Sequence, residues 1–274
     1  MIKTIVFNGG LGNQMFQYAF YLYLKKRNPL DLFVFDIEPA RTCHNGIEID
    51  KIFNINIKNK VFLYRILYKF KAVQQFKKIT QGDSLLFDDT IIKETHPFSI
   101  YDGFWQSEKY FKSVEHRVRK AFAFNEELLN NSTKRLSESL KKENYISVHI
   151  RRGDYVVQKD DFGLCDKDYY IKAIDYLNQT SKKIKLVFFS DDIKWVKENL
   201  NYSDSIYVDW NINHDSWQDM YLMSLCKHNI IANSSFSWWG AWLNNNPNKI
   251  VIAPKQWFPN RNNYDILPIN WIKM

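Results

Sequence analysis

No stretch of this 274-residue sequence approaches the 18 consecutive apolar residues that a membrane-spanning helix needs, so a span of that kind is not expected. The opening residues, MIKTIVFNGG, offer an unbroken apolar run of only three residues, Ile5 to Phe7, ahead of Asn8 and two glycines. That is too little for the apolar middle of a secretory signal, and a cytoplasmic location is expected. Cysteine is scarce. Cys43, Cys165 and Cys226 are odd in number and widely scattered, which suits reduced thiols and neither a disulfide frame nor a metal knot. The six histidines show no ligand spacing. There is no GK[ST] and hence no P-loop. GGLGNQ misses the dinucleotide fingerprint G-x-G-x-x-G, because Asn13, Gln14 and Met15 follow the second spaced glycine, so a dehydrogenase is not supported. Fixed-period repeats and low-complexity tracts are also missing.

What is present belongs to a globular protein. The chain is 45% hydrophobic and 25% charged, and its 16% aromatic share suits surfaces that stack on sugars or bases. Its length favours two domains. The formal net charge of +8 points either to an anionic partner (nucleic acid, an anionic membrane face or a phosphorylated small molecule) or to ordinary solvated lysine-rich surface.

Three times a short apolar run stops at a small or polar cluster and a helical period follows. Strand 5–7 leads through NGGLGNQ into a helix with Phe16, Ala19, Phe20, Tyr23 and Leu24 on one face, ending on Lys25, Lys26 and Arg27. Strand 186–189 leads through Ser190, Asp191 and Asp192 into a helix with Ile193, Val196 and Leu200 aligned. Strand 230–232 leads through Asn233, Ser234 and Ser235 into helix 236–243. YISVHIRRGDY and KIVIAPKQW add strands, so an α/β chain with mostly parallel sheets is expected. The polar segment 125–144 is read as the junction, giving domains 1–140 and 141–274. Segment 58–78 is a basic amphipathic helix candidate with a stripe of Phe62, Ile66, Phe70, Val73 and Phe76. It suits either peripheral membrane contact or a helix packed on its own core.

In open α/β sheets ligands sit beyond the carboxyl ends of the strands, where all four polar clusters fall, so a binding cleft is expected. The pleat of 145–151 puts Ser147, His149 and Arg151 on one face and Val148, Ile150 and Arg152 on the other. Arg151 is therefore chosen for a phosphate contact. Arg152 is expected to brace the loop through a carboxylate such as Asp154. Ser234, Ser235 and Ser237 can cap the following helix and present its amides to an oxyanion. At least two of Trp238, Trp239 and Trp242 are expected to wedge that helix against the sheet. Gly10 and Gly12 allow close backbone approach to a ligand. Asp192 is well placed to start a helix, and a metal role for the aspartate pair is disfavoured.

GGLGNQMFQYA, DGFWQSEKYF (102–111), HIRRGDY, FFSDD and NSSFSWWGAWL, in that order, resemble the motif series of glycosyltransferase family 11, the α1,2-fucosyltransferase type. The resemblance implies a GT-B-like fold of two Rossmann-like domains with a cleft between them, the first binding the acceptor and the second the donor. It also implies GDP-β-L-fucose as donor, no metal cofactor, inversion to an α linkage, and a galactose-terminated oligosaccharide or lipid-linked glycan as acceptor in surface-glycan synthesis. By motif match the arginine that contacts the diphosphate is Arg151, and His149 falls near the guanosine. Arg152, Ser190, Asp191, Asp192, Asn233, Ser234, Ser235, Phe236 and Ser237 are placed around the nucleotide, with Gly10, Gly12, Asn13 and Gln14 as the glycine-rich loop. Asp154 is nominated as catalytic base although an arginine neighbour weakens a carboxylate in that role. Asp36, Asp102 and Glu108 are its rivals. Readings of other classes are a non-catalytic glycan- or nucleotide-binding module, and a nucleic-acid binder, which the dispersed basic residues and the want of a nucleic-acid motif disfavour.

Overall fold

The computed structural model describes residues 1–82, 85–180, 184–260 and 265–274. The chain divides at Asn125/Glu126 into two compact units, with 265–268 returning to the first. The division falls at the start of the polar junction and not at 140. The reason lies in helix Asn131–Lys142, which buries Leu136 and Leu140 within the second unit. Asn130 caps this helix by accepting from the Thr133 amide, and donates to Asn211 Oδ1 at 2.8 Å.

The first unit holds a four-stranded, wholly parallel sheet: β1 (Ile2–Val6), β2 (Leu32–Asp36), β3 (Lys77–Thr80) and β4 (Phe98–Asp102), in the order β2-β1-β4-β3. β1 begins three residues before the expected 5–7. Lys3 and Thr4 look polar but are buried, Lys3 Nζ donating to the Tyr101 hydroxyl at 3.2 Å. Helix α1 (Leu11–Arg27) starts at the glycine loop and buries Phe16, Ala19, Phe20 and Leu24. Lys25 at its end donates to the carbonyls of Pro29 and Asp31. The DGFWQ motif packs on this helix. The Trp105 ring stacks on Phe20 with centroids 4.5 Å apart, and Gln17 Nε2 donates to the Gly103 carbonyl. The 58–78 segment is not one helix. Helix α2 (Lys58–Lys69) ends at a left-handed Lys71, a single 3-10 turn (Ala72–Gln75) follows, and the chain runs into β3.

The second unit holds a six-stranded parallel sheet in the order β10-β9-β8-β5-β6-β7: β5 (Tyr145–Ile150), β6 (Lys185–Ser190), β7 (Ile206–Val208), β8 (His228–Ile230), β9 (Val251–Ala253) and β10 (Ile272–Lys273). Strand β8 precedes the expected 230–232 by two residues, set by its register on β5, Ile146 opposite His228. Ile146, Val148 and Ile150 join a core with Tyr170, Ala173 and Ile174, while the other face of β5 turns Ser147 to Asn229, which donates to its hydroxyl at 2.7 Å. Trp238, Trp239 and Trp242 are all buried, one more than the minimum expected, and Trp238 meets Trp271 at 5.4 Å.

Candidate active site

Because the second sheet is wholly parallel, the carboxyl ends of β8, β5 and β6 lie side by side on one edge, and their loops form the cluster. Beyond β5 the chain takes a helical turn, Gly153–Val157, which sets Arg151 and Asp154 three residues apart on one side. Arg151 Nη2 lies 2.6 Å from Asp154 Oδ1 and its Nη1 lies 2.8 Å from Asp191 Oδ2. Its guanidinium also sits 5.4 Å from the centre of the Tyr155 ring. Strand β5 stops at Ile150, so the pleat does not extend to either arginine, and the partner of Arg152 is not Asp154. Arg152 Nε donates to Asp192 Oδ2 at 3.1 Å and its guanidinium lies over the Trp195 ring at 4.1 Å. The expected brace is corrected because Asp154 follows the helical turn back to Arg151.

The loop after β6 fixes this clasp. Asp191 Oδ1 accepts from the Arg152 amide at 2.8 Å, and a side chain at Gly153 would meet Asp191 Oδ2 at 2.7 Å. Ser190 Oγ accepts from the Asp192 amide. Asp192 is the N-cap of helix α3 (Ile193–Asn199), accepting from the Trp195 amide at 3.2 Å, as its position in the sequence suggests. Both aspartates are thus committed to arginines, and among the described residues no group of three His, Cys, Asp or Glu could hold a metal ion.

His149 is the last residue but one of the buried strand β5, with Phe236 against its ring at 5.8 Å. Burial pulls its imidazole down to about 4, Asp191 working upward and Arg151 downward, so the ring is neutral at pH 7. Its Nδ1 is buried with no hydrogen-bond partner.

The loop after β8 divides its residues between two tasks. Ser234 is the N-cap of helix α4 (Ser235–Leu243), accepting from the Phe236 amide, and Ser235 and Phe236 remain partly exposed in its first turn. Asn233 and Ser237 turn their side chains to the backbone. Asn233 is 2% exposed; its amide donates to the carbonyls of Phe162, Gly163 and Trp257, and its Oδ1 lies 3.5 Å from Cys165 Sγ. Ser237 is buried, with its hydroxyl on the carbonyls of Ala232 and Ser234.

In the first unit the glycine loop shows a similar split. Gly9 adopts a left-handed φ of 76° and Gly10 opens α1, where a Cβ would meet the His44 ring at 2.9 Å. It is therefore His44 that makes the close approach at Gly10. Gly12 is buried in the first turn. Gln14 is wholly buried: Nε2 donates to the carbonyls of Gly9 and Gly46, and Oε1 accepts from the amides of Glu48 and Ile49. It staples two loops and cannot face a ligand. Asn13 Oδ1 accepts from Gln106 at 2.8 Å. The rival bases are engaged as well, Asp36 with the Tyr64 hydroxyl, Asp102 with Lys78 and Glu108 with Lys112. Tyr155, Trp195 and His44 are not singled out by the sequence. The first two stand within a few residues of the charged clusters, but only the fold places a ring under each guanidinium.

Parallel sheets in two Rossmann-like units, with charged loops on the carboxyl edge of the second, define a GT-B-type glycosyltransferase fold. The family description "Glycosyl transferase family 11" matches residues 1–274, and the chain belongs to that family. It is 38% identical to an alpha-1,2-colitosyltransferase of Escherichia coli, over 97% of this chain and 96% of that one. It is 30% identical to the O-antigen biosynthesis glycosyltransferase WbnK of the same organism, over 97% and 98%. Rabbit galactoside alpha-(1,2)-fucosyltransferase 1 is 24% identical over 88% of this chain and 64% of its own length. Among solved structures, the NodZ alpha-1,6-fucosyltransferase co-crystallized with GDP superposes with a TM-score of 0.52 at 14% identity, covering 88% and 92%.

Proposed function

We propose that the protein is an inverting transferase that moves L-fucose from GDP-β-L-fucose to the 2-hydroxyl of a galactose-terminated oligosaccharide or lipid-linked glycan, without a metal, in surface-glycan synthesis at the inner face of the membrane. The observation that carries this reading is the Arg151–Arg152 clasp: two guanidiniums, Arg151 held by Asp154 and Asp191 and Arg152 by Asp192, near a buried histidine nitrogen with no hydrogen-bond partner among the described residues. In the transfer, the acceptor oxygen bonds to the sugar's anomeric carbon from the face opposite the diphosphate. The bond from that carbon to the β-phosphate oxygen breaks, its electron pair leaves with GDP, and the hydroxyl proton passes to a base. Arg151 retains N–H groups beyond its two ion pairs to meet the departing charge, supported by the amides at the start of α4. His149 meets the guanosine. Asp154 is the base candidate in the same loop. The commitment of Asp191 and Asp192 to arginine supports metal-free chemistry.

The colitosyltransferase relative favours one second reading, a donor carrying colitose in place of fucose. The experiment is GDP release from GDP-fucose and from GDP-colitose with a panel of galactosides, with the linkage of the product determined. Turnover of GDP-fucose into an α1,2 product is expected. Turnover of the colitosyl donor alone transfers the reading to colitose, and GDP binding without turnover of either leaves a binding module.

A further inference from the structure

The net charge of this chain is not spread evenly along its sequence. Residues 51–82 contain eight Lys and Arg and no Asp or Glu, and the remaining chain carries 30 of each sign, so the whole formal excess of +8 lies in this one stretch. Helix α2 is its centre. The face it turns to the sheet is Val61 and Tyr64, packed with Val34 and Val73. The expected stripe is not that face. Phe62, Ile66 and Phe70, spaced by four, run along the outer side and are 64%, 38% and 76% exposed, whereas Val73 is buried and Phe76 packs on Phe98. At 100° per residue Lys58, Arg65 and Lys69 fall within the same outer arc, and Lys71 follows at the turn. Arg65 is paired with Glu38, while Lys58, Lys69 and Lys71 have no ion pair among the described residues.

We infer that the outer face of α2 is a docking surface for an anionic lipid bilayer, with Phe62, Ile66 and Phe70 entering the interface and Lys58, Lys69 and Lys71 meeting the headgroups. Large aromatic side chains interleaved with uncompensated lysines on one helical arc match a negatively charged surface with an apolar interior. A second copy of this chain would bring the same lysines against one another. The inference concerns where the protein works and is independent of the sugar it transfers.

The test is co-sedimentation of the full chain with vesicles of phosphatidylcholine alone and of phosphatidylcholine with phosphatidylglycerol. Pelleting with the anionic vesicles, weakening as salt is raised, is expected. The exposed triple variant K58Q/K69Q/K71Q should lower partitioning roughly a hundredfold, at about fivefold per cation. The double variant F62S/F70S should lower it about tenfold or more, with GDP affinity and thermal midpoint kept in both. Equal pelleting on neutral vesicles, or pelleting unchanged in the lysine variant, overturns the inference. So does a lipid-free dimer that F62S/F70S converts to monomer, which would make this a self-association face. The lysine variant decides the matter even if the phenylalanine variant fails to fold.

Discussion

Arg151 and Arg152 are adjacent, equally charged and both held by carboxylates, yet their surroundings set different tasks. Arg151 bridges two carboxylates, Asp154 and Asp191. Arg152 is laid on Trp195 and tied to the N-cap of α3, a packing role. Losing a preorganised contact to a departing diphosphate costs about 3 kcal/mol, or roughly two orders of magnitude in rate. Arg151→Lys should therefore lose about that much in kcat and bind GDP poorly, since an ammonium cannot keep two carboxylates and a phosphate in one plane. Arg152→Lys should lower the thermal midpoint while keeping most turnover. Equal kinetic losses in the two would mean that both guanidiniums reach the donor. Asp154 admits a cleaner separation. If it takes the acceptor proton, Asp154→Asn abolishes kcat with GDP affinity intact; if it only aims Arg151, calorimetry should show GDP affinity falling together with kcat. The first outcome is expected.

Each loop beyond a strand spends some polar residues on itself. The turn from β1 into α1 is held by Gln14, whose amide answers two carbonyls and two amides at once. Gln14→Leu would bury those four groups unpaired, and at about 1 kcal/mol or more for each the loss should exceed 3 kcal/mol in denaturant unfolding. An effect below 1 kcal/mol would show that the loop is repaired by water. The turn from β8 into α4 is held by Asn233 in the same manner, and what remains for a ligand there is the Ser234 cap and the partly exposed Ser235 and Phe236.

For the molecule as a whole, pH exerts two opposed pulls. Burial takes His149 from 6.5 down to about 4, so the unfolded chain binds a proton first and stability falls as pH drops through that interval. Burial takes the Asp219 carboxyl from 3.8 up to about 8, against the hydrogen bond from Asn211, so the folded chain keeps a proton that the unfolded one releases. This contribution is full below pH 4 and is lost as pH rises toward 8. Asp219→Asn should therefore raise the thermal midpoint at pH 8 and change it little at pH 4. A uniform shift at both would remove Asp219 from the account. Activity should persist fully in EDTA, and a loss restored by Mg²⁺ or Mn²⁺ would recast Asp191 and Asp192 as ligands.

Local sequence sufficed for the α/β class, the turns that carry the charged clusters, and the capping role of Asp192. Each depends on local rules: the period of two along a strand, the period of 3.6 along a helix, and the side chains that can cap an amide. The family resemblance extended this to the motif blocks. Only the tertiary structure decided which polar residues were used up in building the site. Gln14, Asn233 and Ser237 have the same hydrogen-bonding atoms as ligand contacts, and what separates them is burial against backbone distant in sequence. The same holds for α2, where the sequence named one stripe for either of two uses and the packing of Tyr64 on Val34 of β2 turned a different face inward. Within the junction the boundary was set at 140 and not at 125, because a polar helix announces neither of its neighbours, and the bond from Asn130 to Asn211 that ties this helix to the second unit joins residues 81 apart.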